Sequence, residues 1–265
     1  MGEGGVEPPR ALCPQDSESC ASASSATRPK TENRTTRCRP WTPGRYSYPM
    51  GLARGLERRL EQLVDGLAAR LFRGRIHPVE LGTRIVREAD LAVFDTHAGP
   101  GAPNTFVVTL GGESEPVEAV AEAERELEAV MAEAAAEKGW RLEGPITVEI
   151  QFGDGPASAA DVATAVEPGP VPPWAVLEPV EGSPLNVGIN RSVIGRSGTA
   201  DVHLPSEDVS RRHALLWREA GAIWLADLGS ANGTFVGTER LIDAVGVFDG
   251  DLIALGGAEF TLRVL

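Results

Sequence analysis

From Trp174 to Leu265 apolar residues come in short runs split by Gly, Asp, Asn and Pro. That spacing suits strands and turns, and it predicts an all-β sandwich over 174–265. The segment before it, 153–173, interrupts every periodic pattern. Pro156, Pro168, Pro170, Pro172 and Pro173 sit there among small residues, a composition that reads as a linker.

Ahead of the linker the apolar spacing becomes helical. Leu56, Leu60, Leu63, Leu67 and Leu71 recur at steps of three or four, which is one stripe of a helix. The stretch "HPVELGTRIVREAD" (77–90) places a proline where a helix can start and Leu81, Ile85 and Ala89 on one face. "NTFVVTL" (104–110) reads as a strand, and "EPVEAVAEAERELEAVMAEAAAEKGW" (115–140) as a long helix closed by Gly139. In "ITVEIQF", Ile146, Val148, Ile150 and Phe152 alternate with Thr147, Glu149 and Gln151, as in a sheet with one buried face. Residues 50–152 are therefore expected to form an α+β domain.

Residues 1–49 follow neither grammar. They hold Cys13, Cys20 and Cys38, both tyrosines, and many Ser, Thr, Pro and Arg residues, and they read as a disordered tail. The composition changes at Met50, which makes that methionine a candidate natural start. The expected architecture is multidomain: the tail, the α+β domain, the linker and the all-β sandwich.

A formal net charge of -13 argues against general binding to nucleic acid or to an anionic membrane, because nonspecific phosphate binding needs a basic surface. The three cysteines match no zinc spacing, and neither a metal nor a cofactor is expected. No apolar run approaches the roughly 18 residues of a membrane span, and no signal peptide is evident, so a cytoplasmic protein is expected. The chain has no Walker loop, no G-x-G-x-x-G and no H-E-x-x-H, and the enzyme reading fares poorly.

One stretch stands out in so acidic a chain. "DVSRRHALL" (208–216) sets a hydroxyl, two guanidinium groups and an imidazole side by side. A catalytic Ser–His pair, a nucleic-acid patch and a phosphate receptor are the three candidates. Read together with "VIGRSG" (193–198), "ADVHLP" (200–205), "DLGSANGTFVG" (227–237) and "FDGDLIALG" (248–256), the order and spacing resemble those of a forkhead-associated (FHA) domain.

The resemblance implies an eleven-stranded-type sandwich whose loops at one end bind a phosphothreonine peptide. Phosphothreonine carries about -1.5 to -2 charge and three strong acceptor oxygens, so its receptor needs fixed cations and hydroxyls. On this basis Arg196 contacts the phosphate or braces the peptide, Ser210 donates its hydroxyl, and Arg211 supplies a second positive charge. Asn232 clamps the peptide main chain through its amide. Gly195 and Gly233 serve tight backbone turns, His213 braces the loops, Arg212 is a solvated charge and Asp227 a turn residue. Two positions depart from the family pattern. Ala231 stands where many members have Thr or Ser, which puts one supporting contact in doubt, and Val236-Gly237-Thr238 replaces the usual continuation.

The first domain resembles the N-terminal domain of the actinobacterial FhaA family, through "MGLARGLERRLEQLVDGLAARLFRGRIHPVELGTRIVREAD" and "APNTFVVTL". That resemblance implies a non-enzymatic adaptor in Ser/Thr kinase signalling linked to cell-wall synthesis or division. Its partner would be a phosphothreonine-containing protein: a kinase, or a membrane-bound cell-wall pseudokinase or flippase that recruits the adaptor to the inner membrane face. The alternative is a phosphorylation-independent scaffold that uses the sandwich as a docking surface.

Overall fold

The computed structural model describes residues 76–265. The expectations for the 1–49 tail, for Met50 and for the Leu56 to Leu71 stripe lie outside the described residues.

Helix α1, Pro78–Leu91, begins on its proline and carries Glu80 in its first turn, where a carboxylate favours the amide end of the helix dipole. Its buried face holds Leu81, Ile85 and Ala89, as the spacing predicts. Helix α2, Val117–Lys138, ends on Gly139, whose φ of 65° is the left-handed C-cap conformation. Between them run a hairpin of β1 (Phe94–Thr96) and β2 (Gly99–Gly101) and the strand β3 (Thr105–Gly111).

Strand β4, Thr147–Gly153, lies parallel to β3, which requires a crossover, and α2 is that crossover. Val148 and Ile150 point into the core while Thr147, Glu149 and Gln151 face out. Phe106, Val108 and Leu110 of β3 share one core with Leu81 and Ile85 of α1 and Leu127 and Met131 of α2. The outer edge of β4 is not left bare. Glu124 and Glu128 of α2 accept hydrogen bonds from Ile150 N and Val148 N at 2.9 and 3.2 Å, which blunts that edge.

The segment expected to be a linker is in part a strand. Ala160–Ala165 forms β5, antiparallel to β3 on the side away from β4. All the named prolines lie outside β5, so the proline-rich composition never applied to it. Ala160, Val162 and Thr164 are half-buried and alternate with exposed Asp161, Ala163 and Ala165, as in a strand with one face to solvent. Asn104, buried, fastens the chain that follows: its amide donates to the carbonyls of Pro145 and Glu167, and Glu167 N donates to its Oδ1 at 2.9 Å.

From Ala175 onward the chain forms two antiparallel-dominated sheets. Six of their strands are β6 (Ala175–Pro179), β7 (Leu185–Val187), β13 (Glu239–Arg240), β14 (Val245–Val247), β15 (Leu252–Leu255) and β16 (Ala258–Val264). The strands that frame the candidate site are β8 (Ser192–Gly195), β9 (Val202–His203), β10 (Ala214–Glu219), β11 (Ala222–Asp227) and β12 (Thr234–Val236). The six-stranded sheet has the order β13-β12-β15-β16-β6-β7, and the five-stranded sheet the order β14-β11-β10-β8-β9. Leu177, Ile194, Leu216, Leu225, Leu255 and Leu262 fill the space between the sheets with no exposure. The sandwich expected from the run lengths is therefore present.

The α+β domain and the sandwich share a polar interface at the end of α2. The last carbonyls of a helix lack partners within it. Here the sandwich supplies them: Ala220 N donates to Glu137 O at 2.9 Å, Arg191 Nε to Gly139 O, and Asn190 Nδ2 to Trp140 O at 3.1 Å. Arg191 also pairs with Glu219 at 3.0 Å and lies over the Trp217 ring. Next to them Arg141, buried, makes a bidentate pair with Asp201 at 2.7 and 2.9 Å. No described helix is long and apolar enough to cross a membrane.

Candidate functional site

Three loops meet at one end of the sandwich. Residues 196–201 leave β8 and carry Arg196; 204–213 enter β10 and carry Ser210, Arg211, Arg212 and His213; 228–233 join β11 to β12 and carry Asn232 and Gly233. The structure thus brings together the residues singled out from the sequence.

The first two loops are tied by their backbones. Arg196 N donates to Ser210 O at 2.9 Å and Ser197 N to Arg211 O at 3.2 Å, while the Arg196 side chain donates from Nε to Val209 O at 3.1 Å. Arg196 and Arg211 are both exposed. This contact explains Gly195: a Cβ there would stand 2.2 Å from Arg211 O, so a side chain would push the loops apart.

His213 holds the second and third loops together. It has no solvent exposure, its Nδ1 accepts from Ser210 N at 3.1 Å, and its Nε2 lies 3.1 Å from Gly233 O. An accepting Nδ1 leaves the proton on Nε2, which therefore donates to the carbonyl. Both nitrogens are occupied by backbone, and the Ser210 partner is its amide rather than its hydroxyl. This is a brace and not a nucleophile–base pair.

Ser210 Oγ instead accepts from Ala231 N at 3.0 Å. A hydroxyl has one hydrogen to give and room for more than one to receive, so this bond leaves its own hydrogen for an incoming acceptor. Asn232, exposed, gives one amide hydrogen to Asp208 O at 2.8 Å, which adds a second link between these loops. Gly233 has φ +85°, a conformation that a Cβ would strain.

Asp227 is more than a turn residue. Its Oδ1 accepts from Ser230 Oγ and Thr234 Oγ1 at 2.5 and 2.7 Å, and its Oδ2 from Gly229 N and Ser230 N at 3.0 Å each. Burial raises the Asp227 pKa, but these hydrogen bonds outweigh it and hold the carboxyl below its ordinary value. Nor is Arg212 merely solvated: its Nη2 donates to His97 O, at the tip of the β1–β2 hairpin, at 2.8 Å.

Sequence reasoning also missed Arg141, Asn190 and Asp201. Asn190 is buried, with Nδ2 on Arg218 O at 3.0 Å and Oδ1 accepting from Arg218 N at 2.7 Å, besides its bond to Trp140. In the sequence it shows only as part of a glycosylation-type triplet. Asp201 feels burial first, which raises its pKa, yet the Arg141 guanidinium and the Val193 amide together hold it below the ordinary carboxylate value.

Comparison with known proteins agrees with this geometry. The family model described as "FhaA, N-terminal domain" matches residues 54–155, and the one described as "FHA domain" matches residues 192–256. The transcriptional regulatory protein EmbR of Mycobacterium tuberculosis is 39% identical over 83 residues, which cover 31% of this chain and 21% of EmbR. The FHA domain-containing protein FhaA of the same organism is 38% identical over 73 residues, covering 28% of this chain and 14% of FhaA. The glycogen accumulation regulator GarA of Mycolicibacterium smegmatis is 40% identical over 62 residues, covering 23% and 39%. The chain spans well under two thirds of each relative's length. The chain thus carries, in this order, a domain that matches the FhaA N-terminal family and one that matches the FHA family.

Proposed function

We propose that this chain is a non-enzymatic adaptor that binds phosphothreonine peptides through Arg196, Ser210, Arg211 and Asn232. The observation that carries the reading is the Ser210 hydroxyl, oriented by Ala231 N and flanked by two exposed arginines on loops that are bonded backbone to backbone. In a chain of net charge -13, such a cluster suits a compact anion rather than a polyanion. A phosphate brings the charge and acceptor oxygens that this set can neutralise, and the exposed Asn232 amide would read an adjacent main chain. Binding of this kind needs no covalent step.

The partner that follows from the family resemblance is a phosphothreonine-containing protein under Ser/Thr kinase control: a kinase, or a membrane-bound cell-wall pseudokinase or flippase. The adaptor would then act in the cytoplasm and be drawn to the inner membrane face by that partner, in cell-wall synthesis or division. Recovery of partners from lysate, with and without phosphatase treatment, tests this part of the reading. The same partners after complete dephosphorylation would contradict it.

The central test is calorimetric titration of the full chain with a library-selected phosphothreonine peptide and its unphosphorylated twin. Only the phosphorylated peptide is expected to bind, and Arg196→Ala or Arg211→Ala should weaken it by roughly 2 to 5 kcal/mol, the range for truncating a desolvated charged pair. Equal binding of the two peptides would replace this reading with the phosphorylation-independent scaffold.

A further inference from the structure

Building on that phosphopeptide reading, we infer that the FhaA-type domain is a working part of the receptor, with Arg141 as a positioning residue for the loop that carries Arg196. The Arg141 side chain is 3% exposed and each of its guanidinium nitrogens is engaged. Nη1 donates to Arg191 O at 3.0 Å and to Asp201 Oδ2 at 2.9 Å; Nη2 donates to Asp201 Oδ1 at 2.7 Å and Glu143 Oε2 at 3.3 Å; Nε donates to Glu143 Oε1 at 2.7 Å. Five donors in a planar fork therefore meet five acceptor contacts, a match that a lysine ammonium cannot reproduce.

The two partners on the sandwich side matter most. Arg191 immediately precedes β8, and Asp201 immediately precedes β9. They are the two ends of the segment that contains Arg196, and Arg141 clasps both. Asp201 Oδ2 also accepts from Val193 N at 2.8 Å, so the clasp reaches the strand that leads into Gly195 and Arg196. The loop itself runs from β8, held in its sheet, to Asp201, held by Arg141, and a short loop fixed at both ends has few conformations left to lose when a ligand binds. The second cationic loop has a brace of its own from the same domain, through Arg212 Nη2 and His97 O. Residues of the FhaA-type domain thus hold both loops that present arginines to the ligand.

A purely adhesive Arg141 would hold the domains together without acting through Arg196, and a mutant cycle separates the two roles. Affinity for the phosphothreonine peptide above is measured in the full chain for Arg196→Ala alone, for R141K alone, and for both together. In the natural background Arg196→Ala is expected to cost about 30-fold or more, whereas beside R141K it should cost only about 3-fold, because the loop is already misplaced. The same penalty in both backgrounds would overturn the inference. Should R141K fail to fold, as judged by circular dichroism, the pair R141M/D201N removes both charges at once and leaves neither buried unpaired. The cycle is then read in that background by the same criterion. A natural chain that does not distinguish the phosphorylated peptide from its twin sinks the function proposed above; one that does, with additive Arg141 and Arg196 effects, sinks this inference alone.

Discussion

Ala231 serves the candidate site through its backbone: its N–H donates to Ser210 Oγ at 3.0 Å. The side chain takes no part in that bond, so a methyl group where many FHA domains have a hydroxyl leaves this backbone link in place, while it offers a peptide no hydroxyl of its own. Ser210→Ala would remove both this bond and the hydroxyl offered to the ligand. Ala231 lies at the surface, where water replaces the lost acceptor, so the melting temperature is expected to change little. Phosphopeptide affinity should fall by about 1.5 to 3 kcal/mol, the usual worth of a hydrogen bond to a charged group. Loss of stability without loss of affinity would show that Ser210 only shapes the loop.

Asp227 should make part of the stability dependent on pH. Its folded pKa lies below the unfolded value, because the hydrogen bonds from Ser230, Thr234 and Gly229 outweigh burial. A depressed carboxyl pKa gives stability that is fully present above the unfolded pKa, about 4, and is lost as pH falls through the folded value. In Asp227→Asn the Oδ1 contacts can survive, but an amide nitrogen cannot accept from Gly229 N and Ser230 N. The variant is expected to be less stable at pH 7 by about 1 to 3 kcal/mol, with the gap narrowing below about pH 4. Urea unfolding at pH 7, 5 and 3 measures it, and a gap that stays constant would refute the assignment.

Gly195→Ala tests how tightly the loops are joined. The added Cβ would lie 2.2 Å from Arg211 O and 3.0 Å from Ser210 O, both backbone atoms that cannot swing away. The loops must separate, which stretches the bonds from Arg196 N and Ser197 N. Overpacking of this type costs roughly 1 to 3 kcal/mol of stability, and peptide affinity should fall with it. Crystallography of the variant should show the 196–201 loop displaced from Arg211; an unmoved loop would mean that the approach has slack.

What was legible in the sequence was local. Helix α1 could be read from a proline start and one apolar face, β4 from strict alternation, and the sandwich from short runs between turn residues, because each depends on neighbours in the chain. The loop residues could be placed together because five separated motifs agreed on one fold. Strand β5 was hidden by the prolines around it, and the β1–β2 hairpin by the brevity of its strands. Arg141 and Asp201 are 60 residues apart, and Asn190 and Trp140 are 50 apart. Pairs at such separations leave no periodic trace in one sequence, and a buried arginine looks there like any other charge.

The end of α2 offers the last test. Asn190 accepts from Arg218 N at 2.7 Å and donates to the carbonyls of Arg218 and Trp140 at 3.0 and 3.1 Å, so one buried amide links β10, the segment before β8 and the chain just past the Gly139 cap. Asn190→Ala removes all three bonds and puts nothing in their place. Trp140 O and Arg218 N would lose partners in a site too enclosed for water to serve both freely, and each unsatisfied group costs about 1 to 3 kcal/mol. A loss of about 2 to 4 kcal/mol is therefore expected on urea unfolding, well above that of a surface substitution. Hydrogen exchange should quicken at Trp140, Arg218 and Ala220 together, since these amides lie on the two sides of the shared interface. Faster exchange at Arg218 alone would mean that Asn190 supports β10 without joining the FhaA-type domain to the FHA domain.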